Sequence, residues 1–548
     1  MAATSSINAG WPSVARLNLE LDKLNIASLS NISRLNIKSM SSAFSNQNLH
    51  GYLGSFGRLS FTVFISLVVW YISTGIYAWW RLRKFSAVHW LANFSYLWLA
   101  KTTYSGRQYW VHRELQNKHK LVRIGPNELM TDDPAILRKI SAARSNYDRD
   151  SWYTSGRFNP YHDNLFSVLR SDVHTQFKSR TSHAYSSREI PDMEVGVNQQ
   201  INTLIRVMRD RYALGNQNLE LGEVSCFFTM DVITRLAFGQ EFGYLAKNTD
   251  HYSFPQGVRE LWPRMSTSAD IPWIRNVLFS KTLLRFLGPK STDKAGFGAL
   301  MGVAEQHVGK RFASGAAEKN DMLGSFIQHG LSQKECEVEG LFMIVAGTES
   351  TASTIRAILV HTMTSPRVYA RLKGEIQAAV KEGRAANPIT IEQAKKLPYL
   401  QAVVNEGLRI RTPLLGLLPK VVPPGGDTFH GQHVPAGTAI CANVSSLLRS
   451  KEMFGQDADI FRPERFLELK SDKDRIAMER NVEMAFGSGQ WQCVGKTIAT
   501  MELFKSVFEI FRNFDLQLVN PTKPCDVLSY GVFLESNLFV KVTPSAVG

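Results

Sequence analysis

Residues Phe61 to Trp80, FTVFISLVVWYISTGIYAWW, run for twenty positions without a charged side chain. In water a helix of this kind must be covered on every face. In a bilayer it is long enough to cross the hydrocarbon, which takes about 20 apolar residues. Tyr77, Trp79 and Trp80 gather at its end, where amphipathic rings favour the membrane–water boundary. The basic run Arg81-Leu-Arg-Lys84 follows at once, whereas only Arg58 lies close before the stretch. Cationic flanks stay cytosolic, so residues 81–548 are expected in the cytosol and residues 1–58 in the lumen of the endoplasmic reticulum. The stretch begins too far from Met1 for a cleaved signal peptide, so 59–80 is expected to remain as a single anchor.

Residues 1–58 are rich in Ser, Asn and Leu, carry no catalytic pattern, and are expected to be poorly ordered. Asn31-Ile-Ser33 is a glycosylation sequon, and a lumenal Asn31 could carry the glycan. A second apolar run at 86–100 is interrupted by His89 and Asn93. It is too short and polar to span and is expected to lie on, or dip into, membrane lipid.

The formal net charge is +15. No dense Lys/Arg block or nucleic-acid fold signature accompanies it, so nucleic acid is not expected as a partner. A basic surface facing anionic lipid or an acidic protein accounts for the charge. The five cysteines, Cys226, Cys336, Cys441, Cys493 and Cys525, are odd in number, far apart and form no CxxC pair. That argues against a disulfide framework and against a cysteine-based zinc site.

From about residue 190 the apolar positions recur at three-to-four spacing over 201–212, 334–362, 367–382, 391–409 and 497–513. Short extended pieces, punctuated by Pro and Gly, fall between 413 and 445 and near 530–543. The expected fold is mainly α with minor β.

One cysteine stands apart. Phe486-Gly-Ser-Gly489-Gln-Trp491-Gln-Cys493-Val-Gly495 places glycines on both sides of a lone Cys, just before a helical pattern. Such a loop can turn tightly, approach something flat, and aim main-chain N–H groups at the sulfur. Glu406-Gly-Leu-Arg409 sits upstream, with Phe461-Arg-Pro463-Glu-Arg465-Phe466 between. A second Glu-x-x-Arg, Glu509 to Arg512, reads as an ordinary surface pair. Ala346-Gly347-Thr348-Glu349-Ser350-Thr351 lies within a helical pattern, where small residues favour close packing.

Taken in this order, the motifs resemble those of the cytochrome P-450 family, whose haem-binding loop reads FxxGxxxCxG. The likeness covers roughly 85–548 and is nearest to membrane-bound fungal enzymes of secondary metabolism. It implies a haem-thiolate monooxygenase domain with haem (iron protoporphyrin IX) on Cys493, and Phe486, Gly489, Trp491 and Gly495 shaping that site. It implies a buried network of Glu406, Arg409 and Arg465, structural in role. Gly347 would form an oxygen notch, with Glu349 and Ser350 delivering protons and Thr351 as a second hydroxyl. NADPH would act through NADPH-cytochrome P-450 reductase, with O2 and an apolar small molecule (terpenoid, meroterpenoid or polyketide) as substrates.

There are departures. Ser350 stands where the family usually has Thr, and Trp491 where it has Arg or His near the haem propionates. His174 and Lys178 occupy the positions of its WxxxR helix and are candidates for the propionates. The hinge rich in Pro and Gly that usually follows the anchor is absent at Ser86–Trp90. Pro413–Leu418 and Tyr530–Phe533 are candidate pocket walls and Phe158–Phe166 a candidate lid, with Lys178 and Lys496 as docking contacts for the reductase. Two other readings fit the same motifs: a haem-thiolate isomerase or dehydratase that uses no NADPH, and a non-oxygenating haem-binding membrane protein.

Overall fold

A computed structural model describes residues 46–115, 120–313 and 320–545, with side chains from Ser60 onward. Asn31 and the rest of 1–45 lie outside these residues. A helix runs from Asn46 to Leu82, so helical structure begins ahead of the boundary expected at 58. Leu49, Leu53 and Phe56 continue the helical period upstream of the uncharged run. Its portion Ser60–Leu82 is long and apolar enough to cross a membrane. The chain divides into two units, Met1–Thr74 and Gly75–Gly548, and the motifs between Gly347 and Gly495 all fall in the second.

That unit is mainly helical with small sheets. The expected helices at 334–362, 367–382 and 497–513 appear as Gln333–Met363, Pro366–Lys381 and Lys496–Asn513. The pattern at 201–212 belongs to Met193–Val207 and a π-turn, Met208–Ala213. The stretch 391–409 is two helices, Ile391–Lys395 and Pro398–Ile410. Pro398 breaks it because it has no N–H to continue a helix, yet suits the first turn of a new one.

Gln333–Met363 is the central helix. Ser332 and Glu335 close its first turn as a capping box. It packs against Leu221–Phe238, which is buried almost all round, as expected of an interior helix. Two glycines let the pair approach. A Cβ on Gly347 would lie 3.1 Å from Ile233, and one on Gly340 would lie 3.2 Å from Phe238.

The largest sheet has five short strands in the order Val122–Arg123, Glu128–Thr131, Ala439–Ala442, Lys420–Val421 and Asp148–Arg149. The segment after the helix Asn46–Leu82 runs beside the first strand. Val88 N–H donates to Arg123 O at 3.0 Å and Arg123 N–H to Ser86 O at 2.9 Å. At the far edge Arg149 and Lys420 are direct register partners.

Candidate haem and substrate site

The loop around Cys493 closes on itself through Cys493 N–H to Phe486 O at 2.8 Å. Gly489 has φ +58°, and a Cβ there would stand 1.9 Å from the Ser141 carbonyl oxygen, so only glycine fits. At Gly495 a Cβ would make only an ordinary 3.8 Å contact with the sulfur. The helix Lys496–Asn513 starts next, and the Gly495 and Lys496 N–H groups donate to the Cys493 sulfur. Burial pushes the thiol pKa up, while these two donors and the Lys178 ammonium oppose that rise. All five cysteines are free; three are buried and Cys525 is half-buried, whereas Cys493 keeps an exposed surface. A sulfur with N–H donors behind it, at a helix N-terminus and open in front, is built to act as a thiolate ligand.

Lys178 grips this loop from outside. Its ammonium donates to Gln490 O at 2.9 Å and Gln492 O at 2.8 Å. Two of its three N–H bonds are thereby spent on the backbone, so it is no free docking contact. Lys496 pairs with Glu483 at 2.7 Å.

Behind the loop lies a buried basic cluster. The His174 and Trp491 rings are 4.3 Å apart, and the Trp491 ring also has Arg149 at 4.5 Å and Lys420 at 5.2 Å. Arg149 and Lys420 are both buried, and no carboxylate pairs with either among the described residues. Like charges directly opposite on paired strands repel, and a buried charge without a counter-ion costs several kcal/mol. Burial lowers the Arg149 pKa to about 10 and pushes that of Lys420 well down. Burial, then the neighbouring Arg149, Lys178 and Lys420 charges, holds His174 far below the usual imidazole range. Arg149 Nε, His174 Nδ1 and Trp491 Nε1 are buried with no hydrogen-bond partner among the described residues. A dianionic edge supplies the missing charge and acceptors. The two propionates of haem are such an edge, so these residues fit that cofactor. Arg149, Lys420 and Tyr153, whose hydroxyl accepts from Lys420 at 2.6 Å, belong to no sequence motif and were not foreseen.

Glu406, Arg409 and Arg465 meet in one buried network. Arg409 holds the Glu406 carboxylate with two bonds of 2.7 and 2.8 Å, and Arg465 Nε reaches it at 3.0 Å. The remaining guanidinium donors go to carbonyls between Leu448 and Ile460 and to Asp457 at 3.0 Å. The second Glu-x-x-Arg is no surface pair. Glu509 is buried, accepts Ile389 N–H at 2.7 Å, and burial raises its pKa. Its helix is buried on most faces, which spacing alone does not disclose.

The middle of the central helix is open. Ala346 is exposed, and Phe342, Val345, Glu349 and Ser350 are half-buried, while 351–359 are wholly buried. Phe342, Ala346 and Ser350 share a face at four-residue spacing. Ser350 Oγ donates to Ala346 O at 2.7 Å, a back-bond that bends helices. Gly347, also half-buried on this stretch, makes the close contact with Ile233. Thr351 is buried and hydrogen-bonded to the Glu502 carboxyl, whose pKa burial drives far up. It fastens the central helix to the helix that follows Cys493. Glu349 is held at one oxygen by Arg356 and takes the Cys226 thiol at 2.8 Å on the other. Arg356 also donates to Glu535 at 2.5 Å, and Arg411 binds the same Glu535. The Glu349 side chain nevertheless remains 23% exposed.

The expected walls are only partly walls. Leu415, Leu417, Phe158, Tyr530 and Phe533 are core residues, while Leu414, Leu418, Phe166 and Val532 are half-buried. Phe166 stacks on Phe342 of the open face, with ring centroids 6.0 Å apart.

The cytochrome P450 family model matches residues 90–542. The cytochrome P450 monooxygenase aba1 of Botryotinia fuckeliana is 66% identical over 470 residues, 85% of this chain and 92% of its own. The cytochrome P450 monooxygenase abl1 of Leptosphaeria maculans is 56% identical over 475 residues, 85% of this chain and 83% of its own. The cytochrome P450 monooxygenase ABA1 of Pyricularia oryzae is 39% identical over 475 residues, 84% and 92% of the two chains. With a Cys loop and a basic cluster suited to haem, and these relatives along most of its length, the chain belongs to the cytochrome P450 family of haem monooxygenases.

Proposed function

We propose that the protein is a membrane-anchored monooxygenase of secondary metabolism, placing one oxygen of O2 on an apolar terpenoid, meroterpenoid or polyketide. The second oxygen leaves as water, with two electrons drawn singly from NADPH through a reductase and two protons drawn from solvent. The observation that carries the reading is the open Cys493 sulfur beside a buried basic cluster that has no counter-charge among the described residues. Haem held by a thiolate supplies the cleavage of the O–O bond.

The chain's own residues do the rest. Cys493 would ligate the haem iron; Phe486, Gly489, Gly495 and Lys178 fix its loop. Arg149, Lys420, His174 and Trp491 would hold the propionates. Glu406, Arg409 and Arg465 brace the segment leading to the loop. Ser350 Oγ holds a proton on the open helix face, and Glu349 replenishes it when its carboxylate leaves Arg356. The apolar rim of Phe342, Phe166, Leu414 and Val532 orients substrate and excludes water.

The helix Ser60–Leu82 anchors the chain in the endoplasmic reticulum with the domain on the cytosolic side. Exposed Trp90, Leu97 and Tyr104 extend the lipid contact foreseen for 86–100. A cleft of about 340 Å³ outside the cysteine loop, lined by Arg138, Arg480 and Glu483, offers cationic rims to an acidic reductase.

The test is reconstitution with reductase, NADPH and candidate substrates. Wild type should consume O2 and NADPH and form oxygenated product; no NADPH-dependent uptake with any substrate refutes the reading. General acid–base groups contribute about 10²–10⁴-fold, so Ser350→Ala should cut product per NADPH at least ~10-fold, with peroxide replacing it. An unchanged yield would assign the proton elsewhere. Arg149→Leu separates two effects by sign. It removes one of two facing buried cations, so the haem-free protein should melt no lower, while haem dissociates faster. Unaltered haem retention would contradict the propionate role.

A further inference from the structure

His183, Glu189 and His329 lie away from the site above and come from two distant segments. His183 sits in the turn Ser182–Tyr185, which ends the helix Ser171–Thr181 carrying His174 and Lys178. His329 caps the C-terminus of Met322–Gln328, three residues before the Ser332 cap of the central helix. His183 Nδ1 lies 3.3 Å from one Glu189 oxygen and His329 Nε2 lies 2.9 Å from the other. The two imidazoles stack nearly parallel, 12° between planes and 4.1 Å between centroids. Each ring brings a nitrogen to the carboxylate, and the exposed His183 ring must turn out of the stack for both in-plane lone pairs to meet at one ion. All three ligand atoms fall within 4.8 Å of one another. Metal–ligand bonds of about 2.0–2.2 Å at tetrahedral angles separate neighbouring ligand atoms by about 3.3 Å, against 3.3 and 2.9 Å for the two His–Glu separations.

The cluster is held from behind. Ser325 Oγ donates to Glu189 Oε1 at 2.5 Å, the outer-shell bond that orients a ligating carboxylate. Backbone turns fix the spacing of the first two residues, with Ser186 N–H on His183 O at 2.9 Å and Glu189 N–H on Ser186 O at 3.1 Å. His329 N–H bonds Ser325 O at 3.0 Å, so the third ligand and the outer-shell hydroxyl share one helix end. His183 is half-exposed, which gives an ion access and leaves a coordination position for water.

We infer that His183, Glu189 and His329 bind one divalent transition ion of the zinc class, with water as the fourth ligand. The ion ties the end of the Lys178 helix to the entry of the central helix. Two imidazoles and a carboxylate suit Zn²⁺ over Ca²⁺ or Mg²⁺, which prefer oxygen.

The experiment is calorimetric titration of ZnCl2 into the full-length haem protein, with any affinity tag removed. His183→Ala and His329→Ala are compared with His430→Ala, a control that removes a His–Asp pair elsewhere. Each variant is first checked for its haem spectrum. Wild type and His430→Ala should take up one Zn²⁺ per chain with equal affinity. Losing even an outer-shell partner weakens metal sites about 10-fold or more, so either ligand variant should bind at least ~10-fold more weakly. Zn²⁺ should also raise the melting temperature of wild type and not of those two variants. Equal Zn²⁺ affinity in all four proteins, or no binding by wild type, overturns the assignment.

Discussion

Cys493→Ser is expected to abolish NADPH-dependent oxygenation, by ~10³-fold or more against an enzymatic acceleration of at least ~10⁶. An alkoxide or neutral hydroxyl does not donate electron density to iron as a thiolate does. The fold should survive. The bond from Cys493 N–H to Phe486 O is main chain, and a serine oxygen can accept from the same Gly495 and Lys496 N–H groups. The variant should therefore melt near the haem-free wild type while product formation vanishes. Cys226→Ser is the control. Cys226 is buried and touches Glu349, so its loss should trim proton supply without removing activity. Product formation by Cys493→Ser at a rate near wild type would exclude Cys493 as ligand.

Glu406→Ala is expected to destabilise the domain by about 3–5 kcal/mol, the usual cost of removing one partner from a buried ion pair. The carboxylate is fully buried and receives Arg409, Arg465 and the Arg462 N–H at 2.8 Å. Its removal strands two guanidiniums that keep mostly carbonyl acceptors. Against a typical stability of ~5–15 kcal/mol, much of the protein should unfold or lose haem at 37 °C. Glu406→Gln keeps shape and acceptor but loses charge, so it should fall between. Denaturant melts of the three proteins check the order. A Glu406→Ala protein as stable as wild type would show that the network carries no stability.

The features legible in sequence were local ones. The cysteine loop spans ten residues, and its turns need glycine where Gly489 meets Ser141. Glu406 and Arg409 are one helical turn apart, which fixes their pairing. Arg149 and Lys420 could not be foreseen, because their adjacency arises from strand pairing between remote segments. Spacing also fails to report rotation about a helix axis. Glu349, Ser350 and Thr351 are consecutive, yet they face Arg356, the open notch and Glu502 in turn. For the same reason Glu509 looked like a surface residue and is a core one. Lys178 lies on the helix Ser171–Thr181, but its reach to the loop carbonyls depends on how that helix docks.

The most direct test of the central assignment is the carbon monoxide difference spectrum of the reduced, full-length protein. A Soret band displaced far to the red, the signature of a thiolate opposite carbon monoxide, is expected in wild type and should be missing in Cys493→Ser. A band at the position given by histidine-ligated haem, or a red-shifted band that persists in Cys493→Ser, would contradict it.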